Sequence, residues 1–333
     1  MSIIILILIF IASLVILIKG ADYLVNGAAD LAAYFKVSPI IIGLTLVAFG
    51  TSFPEFIVSL IAVLTGSPDL SIGNIIGSNI ANIGLVIGAT AIIMPLLVKS
   101  KTLMYEMPFM VVSSTLLLLL ANNHYLFNQD TFILGRFDGI IFWIIFVLFI
   151  AYIYKSIKES QKEKDGELKS VKKEFKVEFK KHKNPLWKNS LLILFGLIMV
   201  SLGGRLFVYS SSEGALLLGL SEAFIGVTIV ALGTSLPELM TCLVAAWKKE
   251  GDIAIGGIVG SNIFNVLFVL GTISIIKPIQ LSQSLLFQDG MIMILMTLIF
   301  LIFATTGRKI NRWEGAVLLL SYLAYIGFLI YSL

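Results

Sequence analysis

The sequence predicts an all-α polytopic membrane protein in which ten transmembrane helices form two inverted five-helix repeats. Of the 333 residues, 58% are apolar and 13% are charged, about half the charge of a soluble domain. Apolar runs long enough to cross the hydrocarbon core recur along the chain. A gapless internal repeat, described below, is the third observation behind this fold class.

Short polar breaks separate the apolar runs and place the helices in order. The first run is apolar from residue 3 and lacks a basic leading segment or a cleavage signal. We therefore expect a spanning helix there rather than a cleaved signal peptide. The runs predict helices over residues 2–20, 38–65, 71–97, 103–121, 135–155, 189–210, 222–247, 253–276, 287–305 and 313–331.

A Lys-rich polar stretch divides the chain into two halves. Residues 155–188 contain 12 of the 24 Lys and Arg residues. We expect a first five-helix half over residues 1–154, a cytoplasmic linker over residues 155–188 and a second five-helix half over residues 189–333. The linker composition is typical of a solvated, charge-mixed tether that is partly helical and has no apolar face large enough for a domain. A regulatory contact or a contact with lipid headgroups is the alternative.

The distribution of basic residues predicts the orientation in the membrane. If the linker is cytoplasmic, the five helices on either side of it place both the N-terminus and the C-terminus outside. The other connections agree with this assignment, because most of their basic residues then fall on the cytoplasmic side. The exceptions are Arg136, Arg205 and Lys277.

An internal repeat determines the predicted architecture. Residues 43–88 align without a gap with residues 226–271, and 22 of the 46 pairs are identical. The shared positions are rich in Gly, Pro, hydroxyl and carboxyl residues, including Gly-Thr-Ser-x-Pro-Glu in each copy. Because each half has an odd number of helices, the second copy enters the membrane from the opposite side. Inverted repeats are typical of secondary transporters that alternate access around a central site.

Each copy of the repeat places a glutamate, Glu55 or Glu238, inside an apolar helix. An ionised carboxylate at this depth costs ~2.5 kcal/mol or more, so such residues face the protein interior and usually mark an ion path. A protonated glutamate in an interhelical hydrogen bond is the alternative. The same six-residue context around both glutamates argues against that alternative.

A proline precedes each glutamate and predicts a break in the helix. Pro54 and Pro237 lack an N–H group and clash with the carbonyl four residues earlier. We expect the breaks around residues 48–54 and 231–237. Carbonyl groups freed at membrane depth are tolerated only where protein or an ion satisfies them. A simple kink is the alternative for either helix alone.

Short polar side chains complete a candidate cation site. Hydroxyl groups stand beside each glutamate, and a Ser and an Asn spaced four residues apart share one face of the next helix. Oxygen ligands suit calcium, which takes 6–8 of them, and sodium accepts the same groups. Competition of the two ions for one site would give exchange directly. The candidate side chains are Thr51, Ser52, Glu55, Ser78, Asn82, Thr234, Ser235, Glu238, Ser261 and Asn265.

Other chemistries lack the residues that they need. Cys242 is the only cysteine, and His124 and His182 both fall in polar connections. The sequence therefore disfavours a transition-metal site, which would use thiolate or imidazole ligands. The chain contains no zinc-protease, phosphate-loop or nucleophile-elbow motif. We expect neither an enzyme nor a bound cofactor.

Two sequence pairs carry a family resemblance. GTSFPEF with SIGNIIGSNIANIGLVIG, and GTSLPEL with AIGGIVGSNIFNVLFVLG, resemble the paired alpha repeats of the calcium/cation antiporter superfamily, and the prokaryotic sodium/calcium exchangers in particular. The resemblance covers essentially the whole chain. It implies ligand roles for the ten side chains above and adds the backbone carbonyls of Ala48 and Ala231. It also implies that the first and sixth helices slide as a gate.

One residue departs from part of that superfamily. Potassium-dependent exchangers and some archaeal members carry Asp where this chain has Asn265. The asparagine argues against potassium co-transport and leaves the sodium stoichiometry open. The proton/calcium branch typically has Gly-Asn-Ala before the first glutamate, so the Gly-Thr-Ser motif favours sodium as the driving ion.

The resemblance implies a sodium/calcium antiporter in the plasma (inner) membrane. Calcium and sodium ions and the lipid bilayer are its expected partners, with neither nucleic acid nor an obligatory protein partner. A proton/calcium antiporter, or one for another divalent cation, is the alternative. A passive cation channel is a more distant one, because inverted repeats with broken helices are typical of transporters.

Overall fold

The computed structural model describes residues 3–99, 102–122, 132–171, 184–217 and 231–332, and these ranges are largely helical. Their helices, numbered in chain order, are α1 Ile3–Tyr34, α2 Pro39–Thr51, α3 Phe53–Leu64, α4 Pro68–Ile93, α5 Thr102–Ala121, α6 Arg136–Val171, α7 Leu186–Leu217, α8 Ala231–Thr234, α9 Leu236–Trp247, α10 Gly251–Ile276, α11 Leu285–Thr305 and α12 Arg312–Ser332. Their strands are β1 Leu96–Leu97, β2 Phe132–Leu134, β3 Ile279–Leu281 and β4 Lys309–Ile310.

The helices make the chain a multi-pass membrane protein. Eight of the described helices are long and apolar enough to cross a membrane, and α2 with α3 forms a further candidate span that is bent by 41°. α9 is apolar but shorter. The residues predicted to precede it, 222–230, lie outside the described ranges, and so does the beginning of the second sequence repeat. The predicted all-α membrane class is confirmed.

The predicted end of the first helix at residue 20 is wrong, because α1 continues to Tyr34. Asp22, Asn26 and Asp30 resemble a polar loop in the sequence, but residues four apart share one face of a helix. Lys248, which directly follows α9, binds two of these residues. Its Nζ atom lies 2.5 Å from Asp22 Oδ1 and 2.7 Å from Asn26 Oδ1. A polar face that is paired within the protein does not end a helix.

The helices on either side of the predicted linker continue into it, in agreement with a partly helical linker. α6 continues to Val171, so the first part of residues 155–188 is helical. Its Lys and Glu residues are good helix formers, and Lys155 and Glu159 lie one turn apart with 4.0 Å between charged atoms. α7 begins at Leu186 and runs longer than the predicted 189–210. Residues 172–183 of the linker lie outside the described ranges.

The secondary structure repeats with the spacing of the sequence repeat. α9 begins and ends 183 residues after α3, and α10 begins and ends 183 residues after α4. The π-helical turns that open α5 and α11, Thr102–Glu106 and Leu285–Asp289, have the same offset. The structural repeat therefore extends well beyond the two segments in which the sequence similarity is visible.

Two antiparallel ribbons, which the sequence did not predict, join segments from the two halves. β1 pairs with β4, so that Leu96 lies opposite Ile310. β2 pairs with β3, so that Phe132 lies opposite Leu281. Each ribbon contains one strand from before the Lys-rich stretch and one from after it. The two halves are therefore tied together by backbone hydrogen bonds as well as by helix packing.

α4 and α10 occupy the centre of the helix bundle. In α10, 94% of the most apolar window is buried inside the protein, and in α4 78%, whereas the windows of α1 and α7 are mostly exposed. α1 and α7 pack closely along each other at glycines, since a Cβ on Gly20 would lie 2.8 Å from Val200 N. Small residues allow such close helix contacts in membranes. Polar groups on α4 and α10 are therefore withdrawn from lipid.

Candidate cation site

Each half contains a helix that is interrupted at a serine. Ser52 follows α2 and Ser235 follows α8, with nearly identical backbone angles of φ −82°, ψ −2° and φ −89°, ψ 2°. Pro54 and Pro237 then occupy the first turn of the next helix. N–H groups in the first turn have no partner within the helix, so proline loses no hydrogen bond there. The interruptions predicted from the two prolines are confirmed.

The two predicted glutamates open the helices that follow the interruptions. Glu55 lies in the first turn of α3 and Glu238 in the first turn of α9, where the positive end of the helix dipole favours a carboxylate. Both are buried, and neither carboxyl group makes a regular hydrogen bond to another described residue, although the Thr51 hydroxyl lies close enough to Glu238 to interact with it. They are close enough to interact electrostatically. Two such carboxylates are costly to bury, and a cation bound by both would offset that cost.

Hydroxyl groups from both halves meet at the carbonyl oxygen of Ala48. Thr51 Oγ1 and Ser261 Oγ lie 3.4 Å apart, and each lies 3.4 Å from Ala48 O. Thr51 and Glu238 also line one small cavity. The structure therefore brings together two predicted hydroxyl groups, one predicted carbonyl and one of the two glutamates.

Gly260 makes this contact between α2 and α10 possible. A Cβ at this position would lie 2.6 Å from Ala48 Cβ and 2.7 Å from Leu44 O, closer than any side chain tolerates. Gly43 on α2 is packed equally closely against the backbone of α10. Because the two helices touch at these glycines, Ser261 is brought against α2.

Four further predicted ligands lie at or near the two helix interruptions. Ser52 and Ser235 are buried, and their hydroxyl oxygens make no regular hydrogen bond within the described ranges. Thr234 lines a larger cavity. Ala231 lies in α8. The contacts at Ala48 do not include these four residues.

The larger cavity has a volume of about 380 Å³ and reaches both interrupted helices. It lies beside the C-terminal half of α7, whereas the small cavity at Glu238 lies beside the N-terminal half of α10. The two cavities therefore approach α9 from different sides. The lining of the larger cavity includes Pro54, Val58, Gly204, Arg205, Tyr209, Glu213, Gly233, Thr234 and Pro237.

The predicted asparagines lie in π-helical turns of α4 and α10. Asn82 begins the turn Asn82–Ile87, and Asn265 lies within Phe264–Leu270. Such turns are often found at functional sites. Asn265 Nδ2 donates to Ser78 Oγ at 3.3 Å, which joins two predicted ligands from different halves. Both asparagines are fully buried, and the Oδ1 atom of each makes no regular hydrogen bond in the described part of the chain.

Two further asparagines, which were not predicted from the sequence, bind these groups. Asn262 Oδ1 accepts from Asn82 Nδ2 at 3.0 Å, and Asn79 Oδ1 accepts from Asn265 Nδ2 at 3.0 Å. A signal was present, because Asn79 and Asn262 are an identical pair of the repeat. An amide that recurs at the same position of two apolar helices indicates a buried polar contact.

The chemistry of the site is that of a hard-cation site. Among the described residues, no cluster of three or more His, Cys, Asp or Glu side chains occurs. The predicted ligands other than the two glutamates are instead neutral hydroxyl, amide and carbonyl oxygens. Calcium and sodium accept such ligands, whereas transition metals prefer imidazole and thiolate. The donor atoms of this arrangement are of the kind that suits a hard cation.

Known proteins of similar sequence and structure include a putative antiporter and sodium/calcium exchangers. The family model for sodium/calcium exchanger proteins matches residues 5–155 and 188–331. The putative antiporter CaxA of Alkalimonas amylolytica is 38% identical over 318 residues, which cover 94% of each chain. The sodium/calcium exchanger MaX1 of Methanosarcina acetivorans is 34% identical over 344 residues, covering 97% of this chain and 98% of its own.

A solved structure agrees with the sequence relatives. The sodium-calcium exchanger NCX_Mj superposes with a TM-score of 0.77 at 32% identity, covering 98% of this chain and 100% of that chain. Sequence, family model and structure therefore agree over nearly the whole length, including both interrupted helices. The chain belongs to the sodium/calcium exchanger protein family and is a prokaryotic calcium/cation antiporter.

Proposed function

We propose that this protein is a secondary antiporter that exchanges sodium for calcium across the plasma (inner) membrane. The observation that carries the proposal is the pair Glu55 and Glu238, which are buried, lack regular hydrogen bonds among the described residues and are close enough to interact. Intramembrane carboxylates of this kind are retained for function, since they cost stability. Proteins named exchanger and antiporter are among the relatives that match nearly the full chain.

Ten spans in two inverted halves form the architecture that we propose. Residues 1–154 and 189–333 are the halves, and residues 155–188 link them. The recurrence of helices at an offset of 183 residues supports this division. Five spans in each half would place equivalent helices in opposite directions, which is the usual design of a secondary transporter.

The ligands that we propose come from both halves. Calcium takes 6–8 oxygen ligands, and each half offers one carboxylate, three hydroxyls, one amide oxygen and one backbone carbonyl. The contacts at the Ala48 carbonyl support a site that both halves build jointly. The proposed set is Ala48, Thr51, Ser52, Glu55, Ser78, Asn82, Ala231, Thr234, Ser235, Glu238, Ser261 and Asn265.

Exchange follows from the charge of this site. Two carboxylates carry a charge of −2, which one calcium ion neutralises and which sodium ions neutralise by binding together. Binding of one calcium ion or of several sodium ions removes the free-energy cost of buried, unpaired charge. The ion-free site keeps that cost. A protein that crosses between its two open states only when neutralised would exchange calcium for sodium rather than leak either ion.

Access to the site alternates in this proposal between two sides. The cavity beside α7 reaches the interruptions from one side, and the small cavity at Glu238 approaches from the other. Their unequal size supports a conformation that is more open on the α7 side. Sliding of α1 and α7 along the bundle would close one route and widen the other. The close glycine packing between these helices supports their movement as one unit.

Sodium is the driving ion that we propose. MaX1 and NCX_Mj are named sodium/calcium exchangers, and the Gly-Thr-Ser-x-Pro-Glu motif is present in both halves of this chain. The buried glutamates keep proton coupling as a second candidate, since a carboxyl group can be neutralised by a proton as well. Transport needs neither a cofactor nor a partner chain in this account.

The proposed orientation places both termini outside and the linker in the cytoplasm. The positive-inside rule supports it, because 12 Lys residues lie within residues 155–188. In this orientation the C-terminal half of α7, and the cavity beside it, lie towards the outside.

Ion fluxes in proteoliposomes test the proposal. Vesicles loaded with sodium and diluted into sodium-free medium with radioactive calcium should take up calcium against its gradient. A matched pH gradient without sodium should drive no uptake. Uptake driven only by the pH gradient would mean that protons, rather than sodium ions, drive the exchange. Downhill calcium flux that needs no counter-ion would indicate a channel.

A further inference from the structure

Four asparagines form a closed network between α4 and α10, and only two of them belong to the proposed ligand set. Asn79 Nδ2 donates to Asn262 O at 3.3 Å, and Asn262 Nδ2 donates to Asn79 O at 3.4 Å. All four are almost fully buried. The network is symmetric, because each contact from one half has its counterpart in the other half.

Backbone carbonyls determine which way the first two amides face. Asn79 and Asn262 each place Nδ2 on a backbone oxygen of the opposite helix, which can only accept a hydrogen bond. The same amino groups also lie 3.7 Å from Met293 Sδ and 3.8 Å from Met110 Sδ. Since the amino groups are used here, the Oδ1 atoms of Asn79 and Asn262 face the other way.

The fixed oxygens in turn orient the two proposed ligands. Asn262 Oδ1 needs a donor and receives Nδ2 of Asn82, while Asn79 Oδ1 receives Nδ2 of Asn265, both at 3.0 Å. An asparagine whose Nδ2 is held in this way must turn its Oδ1 to the opposite side. The Oδ1 atoms of Asn82 and Asn265 are the ones without a regular hydrogen bond among the described residues.

From these contacts we infer that Asn79 and Asn262 are positioning residues for the cation site, each acting across the repeat boundary. They present the oxygen rather than the amino group of Asn265 and Asn82 to the ion. An unheld amide would offer either end, and its amino end repels a cation. This inference rests on the proposed site, in which Asn82 and Asn265 are ligands.

A double-mutant cycle between Asn262 and Asn82 tests this role. Asn262→Leu removes the acceptor with little change in volume, and we expect calcium affinity to fall roughly 10- to 100-fold, as for other residues that orient metal ligands. Asn82→Asp places an oxygen at both ends of the side chain, so no orientation is needed. In the Asn82→Asp background, Asn262→Leu should therefore change calcium affinity by about twofold or less, the scatter of independent sites.

The matched control is a variant of Asn79, which binds the other proposed ligand. Asn79 holds Asn265 and not Asn82, so Asn79→Leu should weaken calcium binding by the same factor with or without Asn82→Asp. The readouts are calcium titration calorimetry of the purified protein and the KM and kcat of calcium uptake. Positioning predicts a raised KM at similar kcat, whereas loss of folded protein lowers kcat alone. An equal loss of affinity on Asn262→Leu in both backgrounds would overturn the inference, because a packing role does not depend on residue 82.

Three further variants keep the test decisive. If Asn262→Leu does not fold, Asn262→Asp is used instead. Its carboxylate still accepts a hydrogen bond from Asn82 Nδ2. Calcium affinity near that of the unaltered protein then supports positioning, and a loss as large as that of Asn82→Leu overturns it. Glu55→Gln is measured alongside. Unchanged calcium affinity in Glu55→Gln would refute the proposed site itself, whereas a lost affinity together with an additive Asn262 cycle refutes only the positioning role.

Discussion

Thr51 and Ser261 are separated by 210 positions in the chain, yet their hydroxyl oxygens lie 3.4 Å apart. Thr51 ends the first part of an interrupted helix in one half, and Ser261 lies on the central helix α10 of the other. Both hydroxyls lie at the Ala48 carbonyl. The candidate site is therefore shared between the halves, and changes in one half should alter what the other half binds.

The shared hydroxyl pair gives the first prediction. Thr51→Val and Ser261→Ala should each weaken calcium binding roughly tenfold, since a contact to a charged group is worth ~1.5–3 kcal/mol. The double variant should lose less than the product of the two factors, because contacting residues are not independent. Calorimetric calcium titration measures all three variants. Thr65→Val is the matched control, since Thr65 is exposed and bonds only locally to α3. Strictly multiplicative losses would contradict a shared contact.

Neutralising either glutamate should abolish exchange without unfolding the protein. Glu55→Gln and Glu238→Gln keep the shape of the side chain but remove the charge that calcium neutralises. We expect no sodium-driven calcium uptake from either variant, and normal insertion. Thermal unfolding without ions should occur at the same or a higher temperature, because an unpaired buried carboxylate has been removed.

Added calcium should no longer stabilise these two variants, since a ligand stabilises only the state that binds it. Glu159→Gln, at a half-exposed position of α6, should retain both uptake and stabilisation. Near-normal exchange in either site variant would mean that the carboxylate has only a structural role.

Asn265→Asp should change ion preference rather than abolish transport. A third carboxylate raises the negative charge of the site, so neutralising it requires one more positive charge. We expect a steeper dependence of calcium uptake on sodium concentration. The substitution also removes the amino group that binds Ser78 and Asn79, so calcium turnover should fall. Uptake measured over a sodium series tests both effects, and an unchanged sodium dependence would exclude residue 265 from the site.

Gly260→Ala should destabilise the protein and weaken calcium binding together. The added Cβ would meet Ala48 Cβ at 2.6 Å, and overpacking of this kind costs ~1–3 kcal/mol. Separation of α2 from α10 would move Ser261 away from Thr51. Gly327→Ala on α12 is the control, because an added Cβ there meets no atom within 4 Å. Thermal unfolding and calcium titration of both variants check the prediction. Equal behaviour of the two would contradict the proposed helix contact.

Local chemistry explains which features could be predicted from sequence. Apolar runs predict membrane spans because hydrocarbon excludes polar backbone, and Pro54 and Pro237 predict interruptions because proline lacks an N–H group. Glu55 and Glu238 were predictable as candidate site residues, because few roles other than ion binding offset the cost of an intramembrane carboxylate. Each of these patterns can be recognised within a single helix, and each occurs in both copies of the repeat.

The features that sequence analysis missed depend on contacts between distant segments. α1 continues past residue 20 because its polar face is paired with Lys248, more than 200 positions away. Asn79 and Asn262 bind each other's helix across 183 positions, and a single helix shows only a buried amide. Strand pairing between the halves, as at Leu96 and Ile310, likewise needs both partners in view.

Competition between calcium and sodium for the purified protein tests the central claim most directly. Calcium titrations at increasing sodium concentration should show one high-affinity calcium ion per chain, with an apparent dissociation constant that rises steadily with sodium. The same calcium binding should be absent from Glu55→Gln and from Glu238→Gln. Calcium affinity that does not respond to sodium, or that persists in either glutamine variant, would contradict a single shared site built on the two glutamates.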